Sequence, residues 1–591
     1  MKNFWSTFLA CLLAIVASSV VLSFFVFILF AGMLAAFSSE EVSTVNSNSV
    51  LKIELSEHIK DNPSPMSFSA IDPFSIYEKS VSLISVMEAI ERASSDHRIE
   101  GIYLNFSSLS MGMGTMEEIR NALLKFKESG KFIISYSNYY TQGTYYLASV
   151  ADEIYVNPEG SVDWRGLSST SVFFKGLLDK LGVKAEIYRV GEFKSAVEPY
   201  MTDRMSPENR QQMETLLNSI WNNIVGEIAE TRGLEPANLQ KYATNLVVAT
   251  PQKAVELGLI DGIRYNDEVL AELVEKTHQD ANKTQETVLL SDYMKAPRSK
   301  SGRQSKNKIA LIYAEGDIAG GTHASDGIIP GDGLAAKLAK VRKDDQVKAV
   351  VLRVNSPGGS ALASDVIWRE MSLIQQDKPI IVSMGDYAAS GGYYISCPAD
   401  VIISNKHTLT GSIGVFGLTF NLEDAFRNKL GVTTDVARTN PSGDLGSVFR
   451  PTTPAERNYI QNSVESVYDT FIDHVAEGRN LSREKVLPIA GGRVWSGIDA
   501  AEIGLVDGHG GIKEAIELAA DRAGISDNYR IIVPEDPLDQ LSQLLNSFFT
   551  ARMTPKMHPA EVELLQEYRS LTRLLEQQGV QARMPYTIQI Q

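Results

Sequence analysis

The sequence predicts an α/β protein made of two copies of one unit behind a single membrane-spanning segment. Three observations predict it: apolar runs alternating with helical periodicity, landmarks recurring 246–250 residues apart, and a long uncharged stretch near the start. The runs at 349–354 and 380–383 are continuously apolar, the pattern of strands buried on both faces. Helical stretches separate them. Near 116–126, Ile119, Ala122, Leu123 and Phe126 share one face, and near 364–374 Ile367, Met371 and Ile374 do the same. Strand, helix and strand in that order indicate βαβ units and a parallel sheet.

The duplication rests on order as well as similarity. Ile102-Tyr103-Leu104-Asn105 is echoed by Val351-Leu352-Arg353-Val354-Asn355, and Phe132-Ile133-Ile134-Ser135 by Ile380-Ile381-Val382-Ser383. Ala151-Asp152-Glu153-Ile154 returns as Ala399-Asp400-Val401-Ile402, and Gly258-Leu259-Ile260-Asp261-Gly262 as Gly504-Leu505-Val506-Asp507-Gly508. A period this long marks a duplicated domain, not a solenoid. Thr453-Pro454-Ala455-Glu456 combines a capping box with proline at the first helical position, and Ser206-Pro207-Glu208 is its weaker counterpart.

No residue from Phe4 to Ser39 is charged, a run longer than the roughly 20 residues that span hydrocarbon. Lys2 precedes it and Glu40 and Glu41 come after it, which places the N-terminus in the cytoplasm and the body across the membrane. A cleaved signal peptide has an apolar core of only about 7–15 residues, so an uncleaved anchor fits better. The expected organisation is an anchor (1–45), a first unit (46–294), a polar linker (295–308), a second unit (309–533) and a tail (534–591). The tail's apolar stripes, Leu538, Leu541, Leu544, Leu545 and Phe548, then Leu564, Tyr568, Leu571 and Leu575, predict helices.

Composition excludes several classes. An apolar fraction of 44% with 22% charged residues describes a folded protein. A net charge of -16 argues against a nucleic-acid partner. Cys11 and Cys397 give no disulfide framework, and no Cys-x-x-Cys or His-x-x-x-His spacing suggests a metal. No cofactor is implied.

Chemistry is divided between the copies. Ser390 lies in Ala388-Ala389-Ser390-Gly391-Gly392, where the first copy has Gln142. Lys194 lies in Gly191-Glu192-Phe193-Lys194-Ser195, whose counterpart around 439–445 has no lysine. A serine needs a base, and no histidine sits in a small-residue turn beside it. A lysine serves if burial lowers its pKa. Taken singly, Ser390 reads as a turn or cap residue and Lys194 as a surface charge. Small residues around Ser390 and the loop Asn355-Ser356-Pro357-Gly358-Gly359-Ser360 supply exposed N–H donors, so Gly358, Gly359 and Gly391 are the oxyanion candidates. Lys406 and Lys429 are the fallback bases, both better read as surface residues.

Four pieces, Asn355-Ser356-Pro357-Gly358-Gly359, Ala389-Ser390-Gly391-Gly392-Tyr393, Gly411-Ser412-Ile413-Gly414 and Lys194-Ser195-Ala196-Val197-Glu198-Pro199, resemble the signal peptide peptidase A (protease IV) family in its double-length form. The resemblance implies tandem ClpP/crotonase-like superhelical domains, Ser390 as nucleophile, Lys194 as general base and Ser412 as support for the lysine. It also implies a bowl-shaped homotetramer in the inner membrane, its body on the periplasmic side. Such an assembly takes signal peptides left in the bilayer and other extended hydrophobic peptides. Acyl-CoA chemistry is the competing enzymatic reading, and it gives the divided Ser/Lys pair no role. A non-catalytic membrane scaffold is the third, and an intact Ser390 and Lys194 weigh against it.

Overall fold

The computed structural model describes residues 45–55, 58–62, 80–106, 109–277, 287–297, 305–322, 327–534 and 580–584, with isolated positions 18, 24 and 25. Both predicted units are present as parallel sheets flanked by helices. In the first, the strands run in the order Gly262–Ile263, Glu153–Val162, Phe132–Tyr140, Ile99–Asn105, Ser49–Ile53, Thr287–Leu289, all parallel. The second repeats that order with Gly508–His509, Val401–Ser404, Ile380–Ala389, Val347–Ser356, Lys308–Glu315 and Arg530–Ile532. Equal strand order, with crossovers of equal kind, is the duplication expressed in three dimensions.

Burial on both faces explains why the central strands read as unbroken apolar runs. Ala349, Val350, Val351, Leu352 and Val354 are all fully buried. One face of the second sheet, through Leu311, Val351 and Ile381, shares a core with the first copy. The other, through Val350, Leu352 and Val382, packs with Ile367, Met371 and Ile374 of the helix Ala361–Asp377. Both helix-start signals hold: Thr453 and Glu456 form the capping box of Pro454–Gly478, and Ser206 caps Pro207–Arg232.

Three features depart from the sequence expectation. First, the copies do not close separately. A third sheet, ordered Ile328–Pro330, Asp317–Ala319, Gly358–Ser360, Gln581–Arg583, Val415–Asn421, Lys184–Val190, takes strands from both copies and from the tail. Lys184–Val190 of the first copy pairs antiparallel along its whole length with Val415–Asn421 of the second. Second, the tail is not helical throughout: its described residues include a strand, whereas both apolar stripes fall outside the described residues. Third, the predicted anchor lies outside the described residues apart from the three isolated positions. Among the described residues no helix is long and apolar enough to cross a membrane.

The copies are also bound by buried charge. Arg353 of the second copy donates to Asp61 at 2.9 Å and to Glu118 at 2.6 Å, both from the first, and all three are buried. Glu118 also accepts from Asn405 Nδ2 (2.8 Å) and the Ile512 N–H (2.9 Å). Removing one member of such a cluster strands the others, a loss of roughly 3–5 kcal/mol. Glu118→Ala should therefore lower the unfolding free energy measured in urea by that much, whereas exposed Glu128→Ala should leave it within about 0.5 kcal/mol.

Candidate active site

Ser390 follows the strand Ile380–Ala389 and precedes the short helix Gly391–Ser396. Its backbone is forced into φ +54°, ψ −112°, a region L-residues avoid, and its N–H donates to the Gly411 carbonyl at 2.8 Å. This turn projects Oγ away from both elements. Lys194 arrives from the other copy, just beyond the strand Lys184–Val190 and at the start of the 3-10 turn Ser195–Val197. Its approach is fixed by backbone: the Phe193 N–H donates to the Gly491 carbonyl at 3.0 Å, and a Cβ on Gly492 would lie 2.6 Å from that of Lys194. Gln212, on the long helix, donates to the Phe193 carbonyl (3.1 Å) and to Ser195 Oγ (3.0 Å).

Lys194 Nζ ends 2.8 Å from Ser390 Oγ, within one chain. It also lies 3.0 Å from Ser412 Oγ and 3.1 Å from the Ser412 carbonyl oxygen. Lys194, Ser390 and Ser412 are each fully buried. Burial alone pushes the Lys194 ammonium well below the ordinary lysine pKa, and no carboxylate offsets it. A neutral amine has two N–H donors and one lone pair. The two Ser412 oxygens take the donors, which leaves the lone pair for the Ser390 hydroxyl. Ser390 Oγ also sits 3.3 Å from the Gly414 carbonyl oxygen.

The three candidate oxyanion glycines adjoin this pair but are not equivalent. The Gly358 N–H already donates to Ser356 Oγ at 3.1 Å, so the expectation of Gly358 as a free donor is corrected. What Gly358 supplies is room: with φ +105°, a Cβ there would lie 2.7 Å from the Gly391 nitrogen. Gly391 opens its helix, where N–H groups have no intrahelical partner. Gly359 lies in the adjoining strand Gly358–Ser360, paired with Ile318 on one side and the tail on the other.

The fallback bases are elsewhere. Lys406 pairs with Glu227 at 2.7 Å, and Lys429 is exposed. His407 is buried against Glu117 at 3.0 Å, between the copies. In the first copy, Gln142 occupies the Ser390 position and seals it. Its amide donates to the Gly166 carbonyl (3.0 Å) and accepts from the Gly166 N–H (2.8 Å), where Gly166 is the counterpart of Gly414. Sequence reasoning missed Gln212, Gly492 and Gly414. A glutamine on a helix and two glycines carry no chemical signature, so no signal in one sequence marks them.

A model of peptidase family S49 matches residues 125–280 and 372–526. Protease 4 of Haemophilus influenzae is 35% identical over 524 residues, covering 86% of this chain and 85% of its own. The chloroplastic serine protease SPPA of Arabidopsis thaliana is 33% identical over 519 residues (86% and 75%). Protease 4 of Salmonella typhi is 36% identical over 453 residues (75% and 72%).

Two stability measurements check the geometry. Ser390→Gly relieves the positive φ and should be about 1 kcal/mol more stable than Ser390→Ala in urea unfolding. For Lys194 the folded-state pKa lies below the ordinary 10.5, so between the two values the unfolded chain holds the extra proton. Stability contributed there rises with pH. Relative to Lys194→Met, the wild type should gain stability as pH climbs from neutral towards 10, a slope the variant lacks.

Proposed function

This chain belongs to peptidase family S49 and is a serine peptidase, and from that premise we propose that it is a membrane-anchored endopeptidase using a Ser390/Lys194 dyad. The observation that carries the dyad is the 2.8 Å contact between a buried hydroxyl and a buried amine without a counter-ion. Lys194 takes the Ser390 proton as Oγ attacks a peptide carbonyl, and returns it to the departing amine. Water then resolves the acyl-enzyme by the same route. Ser412 positions the amine, and the Gly391 N–H, with the neighbouring Gly359, meets the developing oxyanion.

The substrate in this reading is an extended, largely apolar peptide that pairs as an added strand in the third sheet. Signal peptides left in the bilayer after cleavage have that character. The uncharged run at 4–39 supports an inner-membrane anchor with the N-terminus in the cytoplasm and the body on the periplasmic side. A homotetramer is part of the same reading, supported by the family resemblance of the four motifs.

A fluorophosphonate probe tests the dyad. Wild type should label at Ser390, and Ser390→Ala should not label. Lys194→Met should lose labelling and at least roughly 10⁴-fold in kcat/KM while keeping its fold. Because the amine acts unprotonated, kcat/KM should fall about tenfold per pH unit on the acid side of its pKa. Normal peptide cleavage by Lys194→Met would reject the reading.

A further inference from the structure

The strand Gln581–Arg583 comes from this chain's own tail and lies in the slot an extended substrate would use. It runs antiparallel to Gly358–Ser360 on one side and to Val415–Asn421 on the other. Its register is fixed: Gly358 opposite Arg583, Gly359 opposite Ala582, Ser360 opposite Gln581. Flanking bonds extend the pairing, with the Ala361 N–H donating to the Val580 carbonyl (3.2 Å) and the Met584 N–H to the Pro357 carbonyl (2.7 Å). Arg583 is held by Asp317 at 3.1 Å.

One atom gives this docking a chemical meaning. A Cβ built on Gly358 would lie 2.1 Å from the Ala582 carbonyl oxygen, and one built on Gly391 would lie 3.0 Å from the same oxygen. That carbonyl therefore points between two of the glycines that border Ser390. The Ala582 side chain is fully buried, so the space beside it suits a methyl group. A chance apolar contact requires none of this: neither a strand paired on both sides nor a carbonyl seated between those glycines.

We infer that the tail is an intramolecular substrate of the same site, cut between Ala582 and Arg583. This rests on the dyad proposed above. Ser390 Oγ bonds to the Ala582 carbonyl carbon and its proton passes to Lys194. The C–N bond to Arg583 breaks, and Lys194 delivers the proton to the new Arg583 amine. Water then cleaves the ester, leaving a carboxylate on Ala582 and restoring the Ser390 hydroxyl.

Intact-mass spectrometry of the purified full chain, alongside hydrolysis of added β-casein, tests this. Wild type should end at Ala582, and Ser390→Ala should retain Arg583 and the residues beyond it. Ala582→Trp should slow the cut at least tenfold, because the side chain has no room. In a pulse-chase, the wild-type cut should be first order and unchanged on hundredfold dilution. A wild type that hydrolyses casein yet keeps Arg583 overturns the inference alone, as does equal trimming of Ser390→Ala, a cut at another bond, unslowed cutting of Ala582→Trp or a dilution-dependent rate. A wild type that neither hydrolyses casein nor trims itself overturns the dyad proposal with it.

Discussion

An amine held where no counter-charge can reach it is the constraint on which the rest of this molecule depends. Burying a lysine is unfavourable unless the group gives up its proton, and Lys194 is fully buried with only hydroxyl and carbonyl oxygens around it. The unfavourable burial must be offset by structure elsewhere. Here the offset is backbone: Gly492 and Gly414 close on the side chain, the Gly491 carbonyl receives the Phe193 N–H, and Gln212 braces the loop. Each of these partners except Gln212 belongs to the second copy. The depressed pKa is thus a property of the junction between the copies, not of either copy.

That junction is built in two tiers. Near the site, seven paired positions between Lys184–Val190 and Val415–Asn421 set the register that delivers Lys194. Slipping by one residue would turn its side chain to the other face. Farther away, the cluster of Arg353 with Asp61 and Glu118 fixes how the two parallel sheets sit against each other. Arg353 stands in the central strand where the first copy has the echo Ile102-Tyr103-Leu104-Asn105. Sequence divergence at that place has supplied a contact that identical copies would not make. The first copy has meanwhile lost its own serine, and Gln142 fills the vacated turn with hydrogen bonds to Gly166.

Much of this was legible in the residues because it rests on local pattern. Central strands buried on both faces show up as apolar runs, and Thr453 with Glu456 announces a helix start by its own chemistry. The pair Ser390 and Lys194 was legible because duplication supplies an internal reference: each residue is conspicuous against its counterpart. Pairing between distant strands was not legible. Nothing in Lys184–Val190 says that its partner lies in the other copy, since strand pairing is chosen by packing and not by the strand's own sequence. The tail misleads for a similar reason. Its leucine stripes suggest helices, and the few residues that make the strand Gln581–Arg583 are too short a run to carry a period. Gly358 is misread from sequence because a Gly-Gly loop reveals donors but not which of them Ser356 has already taken.

The divided dyad also says why the third sheet is where the copies meet. A nucleophile and base in one copy can be aligned by that copy's own core. Placed in two copies, they need an element shared by both, and a sheet edge is the one surface that joins two chains by directional bonds at fixed register. The same edge then remains available for a further strand. Gly358–Ser360 and Val415–Asn421 stand one strand apart, with the tail between them and Ser390 close to its middle. The geometry that assembles the amine and hydroxyl therefore also defines the slot in which a peptide backbone is presented to them. Catalytic pairing and peptide presentation are two consequences of one hydrogen-bond register.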